Sequence, residues 1–517
     1  MGVSNLPLIL AAVSSLIGLD VGTSGARAVA IDLEGNVIAT ASAEYPLSTP
    51  RPGWTEQDPE HWWAASKEVL SRLRAQLRDP PLGLGLTGQM HGSVFLDEAD
   101  EVIRPALLWS DQRTASQCRR ITEKVGARRL VEITGNPAIT GFQAPKILWL
   151  REHEPDAYAR IHHVLLPKDF IRLRLTGELA TDASDASGTL LLDLRHRKWS
   201  DEVLSALEIP RRWLPDVYEG PEVTGRITPA ASAATGLPAG LPVAAGAGDN
   251  AAAAVGSGVV REGMVTSSIG TSGVVFAHSE TPRIDPLGRL HAFCHAVPGR
   301  YHLMGVTLSA GGSLRWWRVT AGAGLDYEAM AAEAGTAPPG SEGLVFLPYL
   351  SGERTPHLDP QARGAFAGLS LRHTRAHLTR AVMEGVTYSL KDSLDLMTEL
   401  GVPMTEIRAT GGGARSPFWR RMQADVFGLP VHRTRTEEGP AFGAALLAGV
   451  AAGAYADVFE AVALIQLRPE ADLPDVERHR LYGRYHAAYS DLYAATAPLM
   501  HRLAELGSGD PEPGQIG

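Results

Sequence analysis

The chain has 517 residues, 44% hydrophobic and 21% charged, with a formal net charge of -10. That length allows two or three domains of ordinary globular composition, and the acidic balance excludes the global basic field of a nucleic-acid binder. Two cysteines, Cys118 and Cys294, exclude a disulfide framework and suit a reducing compartment, so the cytoplasm is the expected location.

The apolar opening "LPLILAAVSSLIGLD" has no Lys or Arg before it and runs straight into a strand. Residues 1–15 are therefore read as an N-terminal extension rather than a secretory signal. No later run is long and apolar enough to span a bilayer. Ile17 to Asp20, Ala28 to Asp32 and Val37 to Ala43 read as an antiparallel meander, with "TSGA" and "EGN" as its turns. A helical period covers Trp62 to Leu77. "LGLGLTGQM" reads as a buried strand ending at Gln89, and "DQRTASQCRRITEKV" as a polar helix after Trp109. "GFQAPKILWLREHEP" reads as a loop and a short helix stopped by Pro155.

From Ile209 to Gly240 the chain is rich in Pro and Gly and weak in periodicity, which predicts an inter-domain connection. A new strand starts at Leu241. The tetrapeptide GTSG at Gly22 to Gly25 returns at Gly270 to Gly273, again between two apolar strands, as a duplicated domain would require. "EGPAFGAALLAGVAAGAY" reads as a closely packing Ala/Gly helix, and residues 501–517 as a disordered tail.

Several stretches have chemistry in view. "LPVAAGAGDNAAAAVGSG" takes the chain from a strand through Gly246 and Gly248 into an alanine helix. Gly246, Gly248 and Ala251 fit a dinucleotide fingerprint, but the acidic ribose partner about twenty residues on is missing. The other reading makes Asp249 functional rather than a plain helix cap, because glycines strip the approach of side chains. "GLGLTG" also matches the fingerprint, yet inside a strand. There is no GxxxxGK[ST] loop and no protein-kinase signature. Phosphate donors would then come from the two hairpins, through backbone N–H groups and the hydroxyls of Thr23, Ser24, Thr271 and Ser272. Asp20, which can only accept, suits Mg²⁺ held largely through water. "HAFCHAVPGRYH" offers His291, Cys294, His295 and His302 as zinc ligands, but the spacing is no standard structural set and an alternating strand explains it better.

The motifs "LDVGTSGARAV", "GAGDNAAAAVG", "SIGTSGVVF", "ATGGGARSPFWRRMQADV", "GAFAGLSLRHTRAHLTRAVMEGV" and "GFQAPKILWL" occur in the order found in the FGGY family of carbohydrate kinases, and from about residue 16 to 500 the chain resembles that family. In the last motif Gln143 stands where a small or hydroxyl residue is usual. The resemblance implies an α/β protein of two ribonuclease-H-like domains, of the actin/Hsp70/hexokinase type, with mixed sheets and an inter-domain cleft. It implies a sugar-binding N-terminal domain at 16–238 and a catalytic and nucleotide-binding C-terminal domain at 239–500. "LTGQMHG", "GWTEQDPEHWW" and "LLWSDQR" imply D-xylulose as the acceptor, touched by Met90, His91, Trp109, Asp249 and Asn250.

On residue type alone, Met90 would be core and His91 a satisfied buried histidine. The resemblance further implies ATP and Mg²⁺, with Asp249 as general base and Asp20 toward the metal. Thr23, Ser24, Arg27, Gly270 and Thr271 would hold phosphate oxygens, although a surface ion pair is the plain alternative for Arg27. Gly311, Gly312, Gly412, Gly413 and Ser416 would line the rest of the nucleotide site. The expected partners are a small ketopentose and ATP, with no nucleic acid and no membrane, and a homodimer is the assembly the family suggests.

Overall fold

The computed structural model describes residues 14–508. Of the extension expected at 1–15, residues 1–13 lie outside the described residues, as does the end of the expected tail, and Ser15 already belongs to the first strand. The chain divides into two compact units. One comprises the residues up to Gly258 with Cys294–Gly299 and Glu438–Ile465; the other comprises Val259–Phe293, Arg300–Glu437 and the chain from Gln466 on.

The first unit is built on the meander β1 (Ser15–Val21), β2 (Gly25–Asp32) and β3 (Val37–Glu44), each strand antiparallel to the next. Helix α1 (Pro59–Arg74) follows, its first turn closed by the Asp58 carboxylate accepting from the Glu60 amide, with Pro59 at the position where no N–H is needed. It buries Trp62, Val69, Leu70 and Leu73. Strand β4 (Pro81–Gly88) lies parallel to β1 and continues the sheet.

The Pro/Gly-rich stretch from Ile209 to Gly240 is not a connection between domains. It carries β5 (Val223–Arg226) and a short helix, Pro229–Thr235, capped by Thr228. Strand β5 pairs antiparallel with β6 (Pro242–Ala244), which pairs with β4. The prolines and glycines there punctuate short elements inside one unit. The short strand β7 (Ala247–Gly248) also pairs with β4, so residues 239–258 go with the first unit rather than starting the second.

The helix Gly439–Ala451 belongs to the first unit although it lies far along the chain. It seats directly on β1 and β4. A Cβ on Gly18 would stand 1.8 Å from the Ala441 carbonyl oxygen, and one on Gly85 would stand 1.9 Å from that of Ala444. Gly443 makes the same kind of approach to α2 (Asp249–Gly256), at 1.8 Å from the Ala252 oxygen. Backbone therefore packs on backbone across strand and helix, which only glycine permits.

The second unit repeats the plan. Strands β8 (Gly263–Ile269), β9 (Gly273–Ser279) and β11 (Tyr301–Thr307) form an antiparallel meander, with β10 (His291–Cys294) at its edge. Strand β12 (Met404–Thr410) then lies parallel to β8, as β4 does to β1, and β13 (Val431–His432) follows. In both units GTSG forms the turn of the first hairpin. The final helix, Val476–Ser508, continues through the beginning of the segment expected to be disordered.

These contacts predict opposite outcomes for two glycine-to-alanine changes. Gly18→Ala should lower the thermal midpoint steeply, by the equivalent of about 3 kcal/mol or by outright misfolding. Gly483→Ala, on the final helix with nothing within 4 Å of its added methyl, should raise stability by up to about 1 kcal/mol. Thermal unfolding followed by circular dichroism measures both.

Candidate active site

In the first unit, β1 ends by presenting Asp20, and the turn Gly22–Gly25 follows it. The turn is braced from several sides: Gln57 Nε2 donates to the Thr23 carbonyl at 2.7 Å, Gln89 Nε2 donates to the Gly22 carbonyl at 3.3 Å, and Tyr45 also donates to Gly22. Trp109, with its ring half exposed, donates its Nε1 hydrogen to Thr23 Oγ1 at 3.0 Å. Arg27 on β2 pairs with Glu438, Nε to Oε2 at 2.7 Å.

Asp249 opens α2, immediately after β7. Gly246, at φ +77°, allows the turn, and its missing Cβ leaves room for the Leu86 carbonyl, which would otherwise lie 1.8 Å away. Gly248 lies against Met90, whose sulfur would be 2.9 Å from a Cβ there. Both glycines are thus accounted for by packing within the protein, not by a dinucleotide fingerprint. Asn250 Nδ2 donates to Asp249 Oδ1 at 2.9 Å.

The two carboxylates share an electrostatic environment. Burial, and then the Asp249 charge, push Asp20 up to about 7 against the lowering effect of Arg27. Burial pushes Asp249 up to about 6, opposed by its hydrogen bonds with Asn250. Asp249 is therefore still ionised at neutral pH yet more basic than an ordinary aspartate. His91 sits at φ +68°, in the left-handed region, with its Nδ1 2.7 Å from the Gly188 carbonyl and its ring 4.9 Å from that of Phe142. Buried Lys146 donates to the His91 carbonyl at 2.7 Å. A strained histidine held by several contacts is a common sign of a working site.

In the second unit a cavity of about 1180 Å³ is lined by Gly270, Thr271, Gly311, Gly312, Gly412, Gly413 and Ser416. Leu314, Tyr327, Met383 and Phe418 give it an apolar wall, while Arg315, Arg415 and Arg421 add cationic groups. The β8–β9 turn and the helix Gly311–Ala321 meet at its base, where the Gly311 and Gly312 amides donate to the Gly270 and Thr271 carbonyls at 2.8 and 3.0 Å. A Cβ on Gly311 would collide with the Gly270 oxygen at 2.4 Å, and one on Gly413 with Ile269 at 2.6 Å. Gly412 is different: an added methyl would meet no protein atom closer than 3.9 Å, so the protein's own packing does not demand a glycine there.

Two family descriptions match the chain: "FGGY family of carbohydrate kinases, N-terminal domain" over residues 15–256 and the corresponding C-terminal domain over residues 265–452. The chain belongs to the FGGY family of carbohydrate kinases. Among the relatives of this FGGY kinase, the xylulose kinase of Escherichia coli K12 is 44% identical over 487 residues, covering 94% of this chain and 99% of that one. The xylulose kinase of Lactococcus lactis is 42% identical over 498 residues, covering 95% and 99%. The crystal structure of a xyloylose kinase from Brucella ovis superposes with a TM-score of 0.89 at 40% identity, covering 94% and 100%. The architecture is that of sugar kinases of the actin/Hsp70/hexokinase-like fold, with mixed sheets and helices in two domains.

Within this FGGY kinase, Gly270, Thr271, Gly311, Gly312, Gly412, Gly413 and Ser416, all expected at the nucleotide, line one cavity, and Ser272 of the same hairpin is not among its lining residues. Thr23, Arg27, Asp20, Asp249, Asn250, Met90, His91 and Trp109 lie in the other unit. Arg27 is engaged by Glu438, the ion pair that was its plain alternative reading, and Met90 is 4% exposed against Gly248, as a core residue would be. Sequence reasoning missed Gln57 and Gln89 as the braces of the first turn. Both stand in the motifs "GWTEQDPEHWW" and "LTGQMHG", whose residues signal the sugar more plainly than the turn they hold. It also passed over Glu353, buried and raised to about 7 by that burial, which accepts from the Leu308 amide at 3.0 Å and from Thr307 at the end of β11.

The residues present fit a magnesium ion of the kind that travels with a nucleotide. Asp20 Oδ1 is buried and accepts no hydrogen bond. Among the described residues no group of three or more His, Cys, Asp or Glu could hold a metal, so Asp20 would share the ion with phosphate oxygens and water, as Mg²⁺ prefers.

Two tests follow from the geometry. The cost of burying the Asp20 charge is fully present above pH 7 and disappears as the pH falls to its unfolded value of 3.8. Asp20→Asn should therefore raise the unfolding midpoint at pH 8, by the equivalent of about 2 kcal/mol, and leave it unchanged near pH 4. Gly412→Ala should preserve the midpoint and raise the KM for nucleotide about tenfold, read by steady-state kinetics.

Proposed function

We propose that this carbohydrate kinase transfers the γ-phosphoryl group of ATP to the C5 hydroxyl of D-xylulose, giving D-xylulose 5-phosphate. The observation that carries the reading is the half-buried Asp249 carboxylate at the head of a helix, on a glycine-stripped loop, with its basicity raised toward neutrality. Its support from outside the chain is the 44% identity with a xylulose kinase across nearly the full length of both proteins.

The phosphoryl group moves through a loose transition state in line with the attacking oxygen, so alignment and charge neutralisation supply most of the acceleration. Asp249 takes the proton of the C5 hydroxyl late, as the oxygen bonds to phosphorus; a carboxylate of this basicity is adequate for that. Met90, His91, Trp109 and Asn250 bind and orient the sugar. The cavity of the second unit holds the nucleoside, with Gly412 leaving a flat floor. Thr23, Ser24 and Arg27 on one hairpin, and Gly270 and Thr271 on the other, hold phosphate oxygens. Arg27 has to share its guanidinium between Glu438 and phosphate. Asp20 would hold Mg²⁺, which supplies positive charge to the β- and γ-phosphates. Transfer requires the donor and acceptor to meet with water excluded, since water competes as acceptor.

A panel of ketoses and polyols with Mg-ATP, read by coupled ADP release, tests the reading. D-xylulose should give the highest kcat/KM, ahead of D-ribulose, gluconate, glycerol and fuculose; another sugar in first place would reassign the substrate within the family. Asp249→Asn should keep the fold and sugar binding and lower kcat by about 10³-fold or more.

A further inference from the structure

The first unit contains a group of charges that no role described so far uses. Lys168 and Arg172, one turn apart on the helix Pro167–Thr176, are both fully buried. Lys168 Nζ lies 2.6 Å from Asp169 Oδ1, 2.8 Å from Asp182 Oδ2 and 3.3 Å from Asp185 Oδ2, all with side chains at 0% exposure. Burial, with the charges of Asp182 and Asp169, holds Asp185 well above the usual carboxylate range, even against Lys168. Lys168 and Arg172 thus face Asp169, Asp182 and Asp185 away from solvent, where each charge depends on its neighbours.

The cluster reaches the loop that delivers Asp249 from both sides. Arg172 donates to the carbonyls of Ala244 at 2.9 Å and Ala245 at 2.5 Å, just before the turn at Gly246. Asp182 caps the short turn that follows it, accepting from the Ser184 amide at 2.8 Å and from the Ser184 hydroxyl at 2.5 Å. Ser184 Oγ in turn accepts the Gly248 amide at 3.1 Å, the peptide immediately before Asp249. The same segment ends at Gly188, whose carbonyl meets His91 Nδ1.

We propose that the buried Lys168–Arg172 cluster and the Asp182–Gly188 segment form a positioning device for Asp249, with Arg172 fixing the entry of its loop and Ser184 fixing the exit. The segment ties the acid to the sugar-side histidine, so one rigid piece sets both. None of these side chains is a catalytic residue; they act through the backbone they hold. The argument rests on reading Asp249 as the base. A group that must meet a reacting oxygen to within a fraction of an ångström needs support of this kind, and here it is a buried ionic cluster that reaches the loop through the Ala244 and Ala245 carbonyls and the Gly248 amide.

Ser184→Ala removes one hydroxyl and one hydrogen bond to the loop. Ser66→Ala, the same truncation of a buried hydroxyl without a partner on α1, serves as the control. The proposal expects Ser184→Ala to lower kcat at least tenfold while the KM values for sugar and nucleotide stay within threefold, and Ser66→Ala to stay within twofold of the parent throughout. Asp182→Asn, which keeps shape but removes the charge facing Lys168, should show the same split and stands in if Ser184→Ala does not fold. Hydrogen exchange of the 244–252 peptide should quicken in Ser184→Ala and not in Ser66→Ala. A kcat within twofold of the parent, or a loss that only tracks the folded fraction, overturns the proposal. Measuring Asp249→Asn alongside separates the two claims. If that variant is inactive and Ser184→Ala is normal, only the positioning device falls; if Asp249→Asn is fully active, the base falls and the device with it.

Discussion

Two carboxylates held partly out of water, one raising the proton affinity of the other, are the constraint on which the first unit turns. Asp20 and Asp249 come from the ends of two different elements, and burying them costs stability that an isolated fold would not spend. That cost is understandable where a cation and a transferring phosphate complete the site, and where a carboxylate poised near neutrality has a proton to take. Stability given up at a site that does chemistry is a familiar trade.

Backbone contact makes such an arrangement rigid. Gly18, Gly85 and Gly443 let strand, strand and helix touch main chain to main chain, so the ends of β1 and α2 are fixed relative to the sheet. The second unit reuses the plan with different consequences. Its first hairpin turn meets the start of a helix through two amide–carbonyl bonds, and the space beside that junction becomes a cavity. One repeated layout thus supplies an acid-bearing turn in one unit and a cavity in the other.

Much of this was legible in the residues, for a physical reason. The meander, both GTSG turns and the Gly-rich stretch at 411–413 are local backbone signals, and such signals survive without tertiary context. The stretch from Ile209 to Gly240 was misread because short strands in a Pro/Gly-rich segment have no periodicity; β5 exists only through its pairing with β6. The Ala/Gly pattern of Gly439–Ala451 announces close packing but not against what; its place in the first unit depends on the facing strands β1 and β4, far away in the chain. Gly246 and Gly248 looked like ligand glycines and are packed against Leu86 and Met90, whereas no protein atom crowds Gly412. The Lys168 cluster could not be foreseen, since Lys, Arg and Asp at those spacings are ordinary surface residues until the fold buries them.

A crystal structure with D-xylulose and a non-hydrolysable ATP analogue tests the central claim most directly. The account predicts the C5 oxygen at about 2.6–3.2 Å from the Asp249 carboxylate, or joined to it through one water. A sugar bound with C5 turned away from Asp249, and a different base beside that oxygen, would contradict it.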